Sequence, residues 1–423
     1  MGRTVATLGL WRGTALMVNI AVGAGILTLP GLAKAIAGPF AVLSWLISAL
    51  IALPMVYLLI MNGQRYQEAG GIAAFVSRYF DHTGFLMTSF LFLGAVTFGL
   101  PSIALIGGHY LAVSLGGSAH GFALGLIGLA FTVQIGRVAR SASINLVISI
   151  TIMLVIACMI VIGFIIAPDE RPAIELATVW QNRHTILAPV LLLFFAFTGW
   201  EVAAGLVKEF VHPKRDFPAA MLISFLLVCV IYFLLALVIH IHPIADHAIT
   251  PFAKIMEYAI GDAGSTLLGV LAGLIILANL IGAIWAVSRL VVALAEQKIV
   301  PNRLARQNQG TPHLALIVVA IVLGCMVVLD WVGLLDLALM IQVAGQNFML
   351  IFVLLAMGQL SAPFRPEKRA VAAAIKPVEY AAAGLVLIAA SLLIYHSGQF
   401  LIWPGLLILA AIICHWRLHR TTP

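Results

Sequence analysis

Charge is the scarcest property of this chain. Of its 423 residues only 9% are Asp, Glu, Lys or Arg, while 63% are hydrophobic and the mean hydropathy is +1.12. Soluble domains carry about 25% charged residues, so there is too little polar surface here to coat a particle in water. Cysteine is scarce as well. Cys158, Cys229, Cys325 and Cys414 each fall inside an apolar run, with no CxxC pair and no histidine at ligand spacing; this argues against a disulfide framework and against zinc. A Gly-rich phosphate loop followed by Lys-Ser/Thr is missing, which argues against ATP as the energy source. No Ser-His-Asp set or carboxylate pair sits in a soluble region, so the chain is not read as an enzyme, and no cofactor is expected.

What is present is apolar sequence in lengths that suit a bilayer. A spanning helix needs about 20 mostly apolar residues. One run follows Arg12, and others lie near 40–61, 85–111, 120–133, 144–166, 186–207, 218–239, 265–292, 314–332, 337–360, 378–394 and 400–415. That predicts twelve spans. The first is expected to stay as a membrane helix, since no small-residue cleavage site follows Met1 to Arg12. With the N-terminus in the cytoplasm, nineteen of the 23 lysines and arginines fall on the inner side. Only Lys34, Arg171, Arg183 and Lys254 fall outside. Short loops follow this positive-inside bias, so both termini are expected in the cytoplasm. The net charge of +7 then faces membrane lipids and leaves nothing for nucleic acid; loop residues Arg365 to Lys376 are candidates for anionic headgroups.

Two spans are expected to break at mid-membrane. The first carries Gly23-Ala24-Gly25, bounded on its outer half by Pro30-Gly31 and Gly38-Pro39; the sixth carries Phe194-Phe195-Ala196-Phe197-Thr198-Gly199. Interrupted helices survive in lipid only where protein or a wet cavity satisfies their freed backbone groups. Paired interruptions in two halves of a chain point to a central substrate site in a secondary transporter. Broken helix N-termini offer N–H groups to a carboxylate, and C-terminal ends offer carbonyls to an ammonium, so the pair can grip a zwitterion.

Glu201 is the one acid well inside an apolar run. A carboxyl group at that depth costs about 2.5 kcal/mol or more and is a functional candidate by default. It could couple transport to protons, or it could hydrogen-bond the broken backbone of the first helix and lock it. Around the breaks lie Ile20, Val22, Phe195, Phe197 and Trp200, and Phe98 and Pro101 are expected to interrupt the third span. Nothing but Glu201 could pair a charged side chain, so a neutral, apolar amino acid is expected. His109, His240, His242 and His247 are read as interfacial, and residues 251–262 as a short outer helix able to act as a lid.

Gly23-Ala24-Gly25-Ile26 leading to Leu29-Pro30, the Glu68-Ala69-Gly70-Gly71 stretch and Phe197-Thr198-Gly199-Trp200-Glu201 together resemble the amino acid–polyamine–organocation superfamily. Lys208-Glu209-Phe210-Val211-His212-Pro213-Lys214-Arg215-Asp216-Phe217-Pro218 and the motifs from Ser288-Arg289-Leu290 through Val300-Pro301 to Gly310-Thr311-Pro312 extend the likeness over essentially the whole chain. Within the superfamily the chain is similar to bacterial exporters of methionine and branched-chain amino acids. The resemblance implies a LeuT-type 5+5 inverted repeat, with residues 1–167 as the first repeat, 168–360 as the second, and 361–423 holding two further helices and the cytoplasmic C-terminus.

It also implies a site. The substrate carboxylate would lie at the amides of Ala24, Gly25 and Ile26 beside Gly23, and the ammonium near the carbonyls of Ile20, Ala21 and Ala196. Phe195 would gate, with Phe197 and Gly199 completing the site and Glu201 the candidate for coupling. Two departures bear on the coupling ion: residues 144–166 lack the lysine of some proton-driven relatives, and the eighth span offers only Asn279 before Ser288. Sodium is therefore poorly supplied with oxygen ligands, and proton antiport or exchange is expected from a bacterial inner-membrane exporter. The alternatives are an uptake symporter or exchanger of the same fold and a sensor that binds an amino acid without moving it. A sensor would need a signalling domain, and the inner loops are too short to hold one.

Overall fold

A computed structural model describes residues 8–67, 71–135, 142–169, 172, 176–244, 247–308, 310–397 and 401–421. The chain is a polytopic all-α membrane protein. Among the described residues eight helical stretches are long and apolar enough to cross a bilayer, and the shorter apolar helices Ala119–Ile135, Thr151–Ile165 and Ile402–Trp416 accompany them. Among the described residues β pairing is limited to two isolated bridges.

The order is α1 (Leu10–Ala21), α2 (Leu29–Ala37), α3 (Ala41–Tyr66), α4 (Gly71–Leu115), α5 (Ala119–Ile135), α6 (Ala142–Ile165), α7 (Arg183–Leu187), α8 (Val190–Phe194), α9 (Trp200–Ala203), α10 (Asp216–Ile241), α11 (Pro251–Ile260), α12 (Asp262–Glu296), α13 (His313–Trp331), α14 (Leu337–Ser361), α15 (Arg369–Ala372), α16 (Pro377–Ser397) and α17 (Ile402–Thr421). The first and sixth apolar runs are each divided, into α1/α2 and α7/α8/α9. The helix α4 begins before its apolar run and bends at Asp81, whose φ is +54°. Residues 68–70 of the Glu68 to Gly71 motif lie outside the described residues. Contrary to expectation, α4 runs on through Pro101. A proline removes one N–H bond, and α4 tolerates this loss within a long buried helix.

Long unbroken helices make the walls. In α4, Gly107 and Gly273 of α12 let the two helices close up: a Cβ on either would come within 2.8 Å of Ile276 or Leu111. An aromatic cluster of Trp45, Phe197 and Tyr232 fills the space between α3, the sixth run and α10, with Trp45 and Phe197 each 5.4 Å from the Tyr232 ring. Edge-to-face contacts of this kind add about 0.5–1.5 kcal/mol beyond burial.

Glu201 is not the only acid buried in the protein. Glu379, at the start of α16, is fully buried and meets Arg65 of α3 at 2.6 Å. The two lie 314 positions apart, and each sits at the end of an apolar run, where the sequence alone reads as loop.

The two faces are fastened differently. On the side expected to be outside, Tyr110 donates to Leu27 O (2.8 Å) and Thr28 to Ile249 O (2.6 Å). Lys34 donates to the carbonyls of Ile239, His240 and His242 at 2.8, 3.1 and 2.5 Å. Ile239 and His240 lie in the last turn of α10 and His242 is its C-cap; carbonyls there have no intrahelical partner, and a cation suits them. The helix α11 forms where a short outer helix was expected, and Gly31 of α2 packs against Ala248 and Pro251 at its start. On the other side, Leu8 pairs with the strand-like segment after α9: Leu8 N–H donates to Glu209 O (2.9 Å) and Val211 N–H to Leu8 O (3.0 Å). The ring of Phe210 lies against Gly13 of α1, and that of Phe217 against Gly63 of α3.

Candidate substrate site

The breaks are local consequences of backbone chemistry. After Ala21, Val22 (ψ 80°) leaves the helix and Gly23 is extended at φ −85°, ψ 174°; a 3-10 turn, Ala24–Leu27, then restarts the chain toward α2. In the sixth run, a 3-10 turn at Phe195–Phe197 ends in extended Thr198 (φ −87°, ψ 168°), and Gly199 adopts φ +105° before α9 begins. Only glycine takes that conformation without strain. A Cβ at position 199 would also stand 3.1 Å from the Ile20 carbonyl oxygen and 3.5 Å from the Ala21 Cα, so the two breaks touch.

Between them and α4, α10, α12 and α14 lies a cavity of about 180 Å³. A single water occupies about 10–15 Å³ of such space, so the hollow holds a small solute. Ile20, Ala21, Gly23, Gly25, Ile26, Phe195, Ala196, Gly199 and Glu201 all line it. Phe197, Val22 and Trp200 do not line it. Phe197 is turned into the Trp45 and Tyr232 cluster, and Trp200 packs on Phe225 at 5.7 Å. Ala24 opens the 3-10 turn between the lining residues Gly23 and Gly25. Sequence reasoning missed the wall residues Phe92, Gly99 and Ile103 on α4, Tyr232 on α10 and Phe348 on α14; Asn279 on α12, weighed there only as a cation ligand, also lines the cavity. Phe92 and Phe348 meet edge to face at 5.8 Å. The cavity is closed at Ile26 and Phe195, both buried, and reaches Val202, which is 47% exposed.

Its polar groups divide by sign. Ile26 N–H reaches Gly23 O at 3.4 Å, whereas the amides of Ala24 and Gly25 open the 3-10 turn and have no acceptor among the described residues. The start of α9 is the second helix N-terminus, and Glu201 already serves it: the Gly199 N–H donates to both carboxylate oxygens, at 2.9 and 3.0 Å. Glu201, at the second position of α9, reaches back to the amide of the N-cap residue. The expectation that Glu201 might lock the first helix is thus corrected, since the amide it binds belongs to its own span.

The negative ends meet at Tyr232, whose buried hydroxyl lies 2.9 Å from Ala21 O and 3.0 Å from Ala196 O. One hydroxyl has one proton, so two helix C-termini share a single donor. Tyr232→Phe strips that donor from two buried carbonyls. It is expected to cost about 1–3 kcal/mol of stability, read as a shift in SDS unfolding, and to lower the counterflow rate.

A fold of broken and continuous apolar helices around a hollow with both helix polarities defines a membrane permease. The family model described as amino acid permease matches residues 8–416, and the chain belongs to that family. It is 28% identical to the uncharacterized amino acid permease YecA of Bacillus subtilis, over 74% of this chain and 75% of that one. It is 31% identical to the L-methionine/branched-chain amino acid exporter YjeH of Escherichia coli, over 53% of this chain and 54% of the exporter. Similarity to the serine/threonine exchanger SteT of Bacillus subtilis is 24% over 70% of this chain and 69% of that one.

Proposed function

We propose that this permease is a secondary transporter that carries neutral, apolar amino acids across the bacterial inner membrane by alternating access, and that it exports them, methionine and branched-chain amino acids foremost, in exchange for protons. The observation that carries this reading is the inequality of the two helix N-termini. One is occupied by Glu201, and the other, at Ala24 and Gly25, has no acceptor among the described residues. A substrate carboxylate fits the second. Its ammonium then lies toward Ala21 O, Ala196 O and Ile20 O, where two helix C-termini converge on a single donor. Phe195, Phe92, Phe348 and Ile26 leave the side chain a hydrocarbon wall.

Residues 1–167 and 168–360 serve, in this reading, as two halves of opposite orientation, with the breaks at corresponding places and 361–423 outside them. Both termini face the cytoplasm, so the exposed Val202 end of the cavity opens inward and Phe195 gates the closed end. Similarity to the Escherichia coli exporter favours export, and similarity to the serine/threonine exchanger SteT keeps exchange as a second reading. Protonation of Glu201 would weaken its hold on the Gly199 amide, which gives a proton a way to act on the sixth span.

Counterflow in proteoliposomes tests the reading. Vesicles preloaded with unlabelled methionine are expected to accumulate labelled methionine and leucine, with no competition from arginine or glutamate, and an imposed pH gradient is expected to drive net flux. Absence of counterflow for every neutral amino acid would overturn it.

A further inference from the structure

Four polar side chains line the cavity: Thr198, Glu201, Tyr232 and Asn279. Three of them are spent within the protein. Thr198 donates to Phe195 O at 2.8 Å, Glu201 accepts from the Gly199 amide, and Tyr232 lies on the carbonyls of Ala21 and Ala196. Asn279 makes no hydrogen bond among the described residues. It is half-buried on α12, with Ala283 one turn further along the same wall. A side-chain amide carries two N–H donors and an oxygen that accepts. In a membrane span such a group is sustained by water or by a ligand that enters the hollow.

Its support differs from that of the breaks. Asn279 stands one turn from Ile276, where α12 closes on Gly107 of α4, and Ser114 of α4 donates to Ser265 O of α12 at 3.2 Å. This helix is continuous, so it presents no free backbone groups for a zwitterion and has only side chains to offer. The broken helices can hold what all amino acids share, while the α4–α12 wall meets what distinguishes them.

We propose that Asn279 is a specificity-determining residue that reads the substrate's side chain, admitting neutral side chains with one hydrogen-bonding atom, such as a hydroxyl or a thioether, beside purely aliphatic ones. The inference rests on the transport reading above and adds to it the substrate class. An apolar pocket discriminates weakly against a hydroxyl isostere, but a pocket that bonds the hydroxyl favours it.

Valine and threonine, which differ by a methyl for a hydroxyl, make the test. Apparent affinities of both are measured by competition against labelled methionine in wild-type proteoliposomes and in Asn279→Leu, Asn279→Ala and Asn279→Ser. Leucine and alanine at 279 are expected to weaken threonine relative to valine by about fivefold or more, and serine to restore part of the ratio. An unchanged ratio in both apolar variants, with valine still carried, overturns the proposal. So does loss of valine transport in all three variants, which would place Asn279 in backbone binding or in folding. A sodium requirement lost on substitution also overturns it, by making Asn279 a cation ligand. If wild-type protein carries no neutral amino acid, labelled methionine included, the transport reading itself falls, a result visible before any variant is made; methionine carried with neither valine nor threonine competing overturns the proposal alone.

Discussion

A valine at position 199 is expected to abolish counterflow, by about a hundredfold or more, while the protein still inserts and elutes as a folded species; misplacements near 1 Å in a binding constellation have effects of that size. Two costs combine. The backbone there has φ +105°, a region in which a β-branched side chain is strained by about 1–3 kcal/mol. The new Cβ would also stand 3.1 Å from Ile20 O, which must retreat, and that carbonyl borders the place assigned to the ammonium. Alanine brings the same Cβ without the branch, so an intermediate loss is expected. The readout is counterflow per mole of reconstituted protein, alongside the gel-filtration profile. Full activity in the valine variant would show that the approach of the two breaks is not needed for transport.

The second large effect belongs to Glu201. Its alanine variant leaves the half-buried Gly199 amide without its acceptor, a penalty of about 1 kcal/mol or more at the point where α9 starts, and more than tenfold loss of transport is expected with it. Glutamine separates the two roles this residue could have. Its amide oxygen can still accept from Gly199, so exchange of labelled for unlabelled substrate should stay within about threefold of wild type, the bond being worth little net when one acceptor replaces another. It cannot bind or release a proton near neutrality, so efflux driven by a pH gradient should vanish. Glutamine-variant vesicles that still respond to the gradient would move the proton to another group.

The breaks were legible because glycine marks them: a Cβ at Gly199 would be both strained and crowded, and one at Gly25 would stand 3.2 Å from the Leu29 side chain, whereas Gly23 has open space around it. Glu201 was legible because a carboxylate is rare at membrane depth. The walls of the cavity were not. Phe92, Gly99 and Phe348 belong to runs that are apolar on every side, and with lipid on one face and protein on the other the helical period carries no contrast. Tyr232 resembled any aromatic residue in a span until its hydroxyl was seen between two carbonyls. Phe197 was misread for a geometric reason: the 3-10 turn at Phe195–Phe197 points successive side chains about 120° apart, so Phe195 faces the hollow and Phe197 the core. The Arg65–Glu379 pair joins spans too distant in the chain for any local pattern to foretell it.

The pairing of Leu8 with residues 209–211, and the seating of Phe210 on Gly13, make the start of the first span and the exit from the sixth a single stiff piece. On the alternating-access reading proposed above, neither would swing like a door on its own hinge. Force applied at one would be delivered to the other, and that mouth would widen as a jaw does, with both lips leaving together. A solute released there would cross a threshold whose width is set by one joint rather than two.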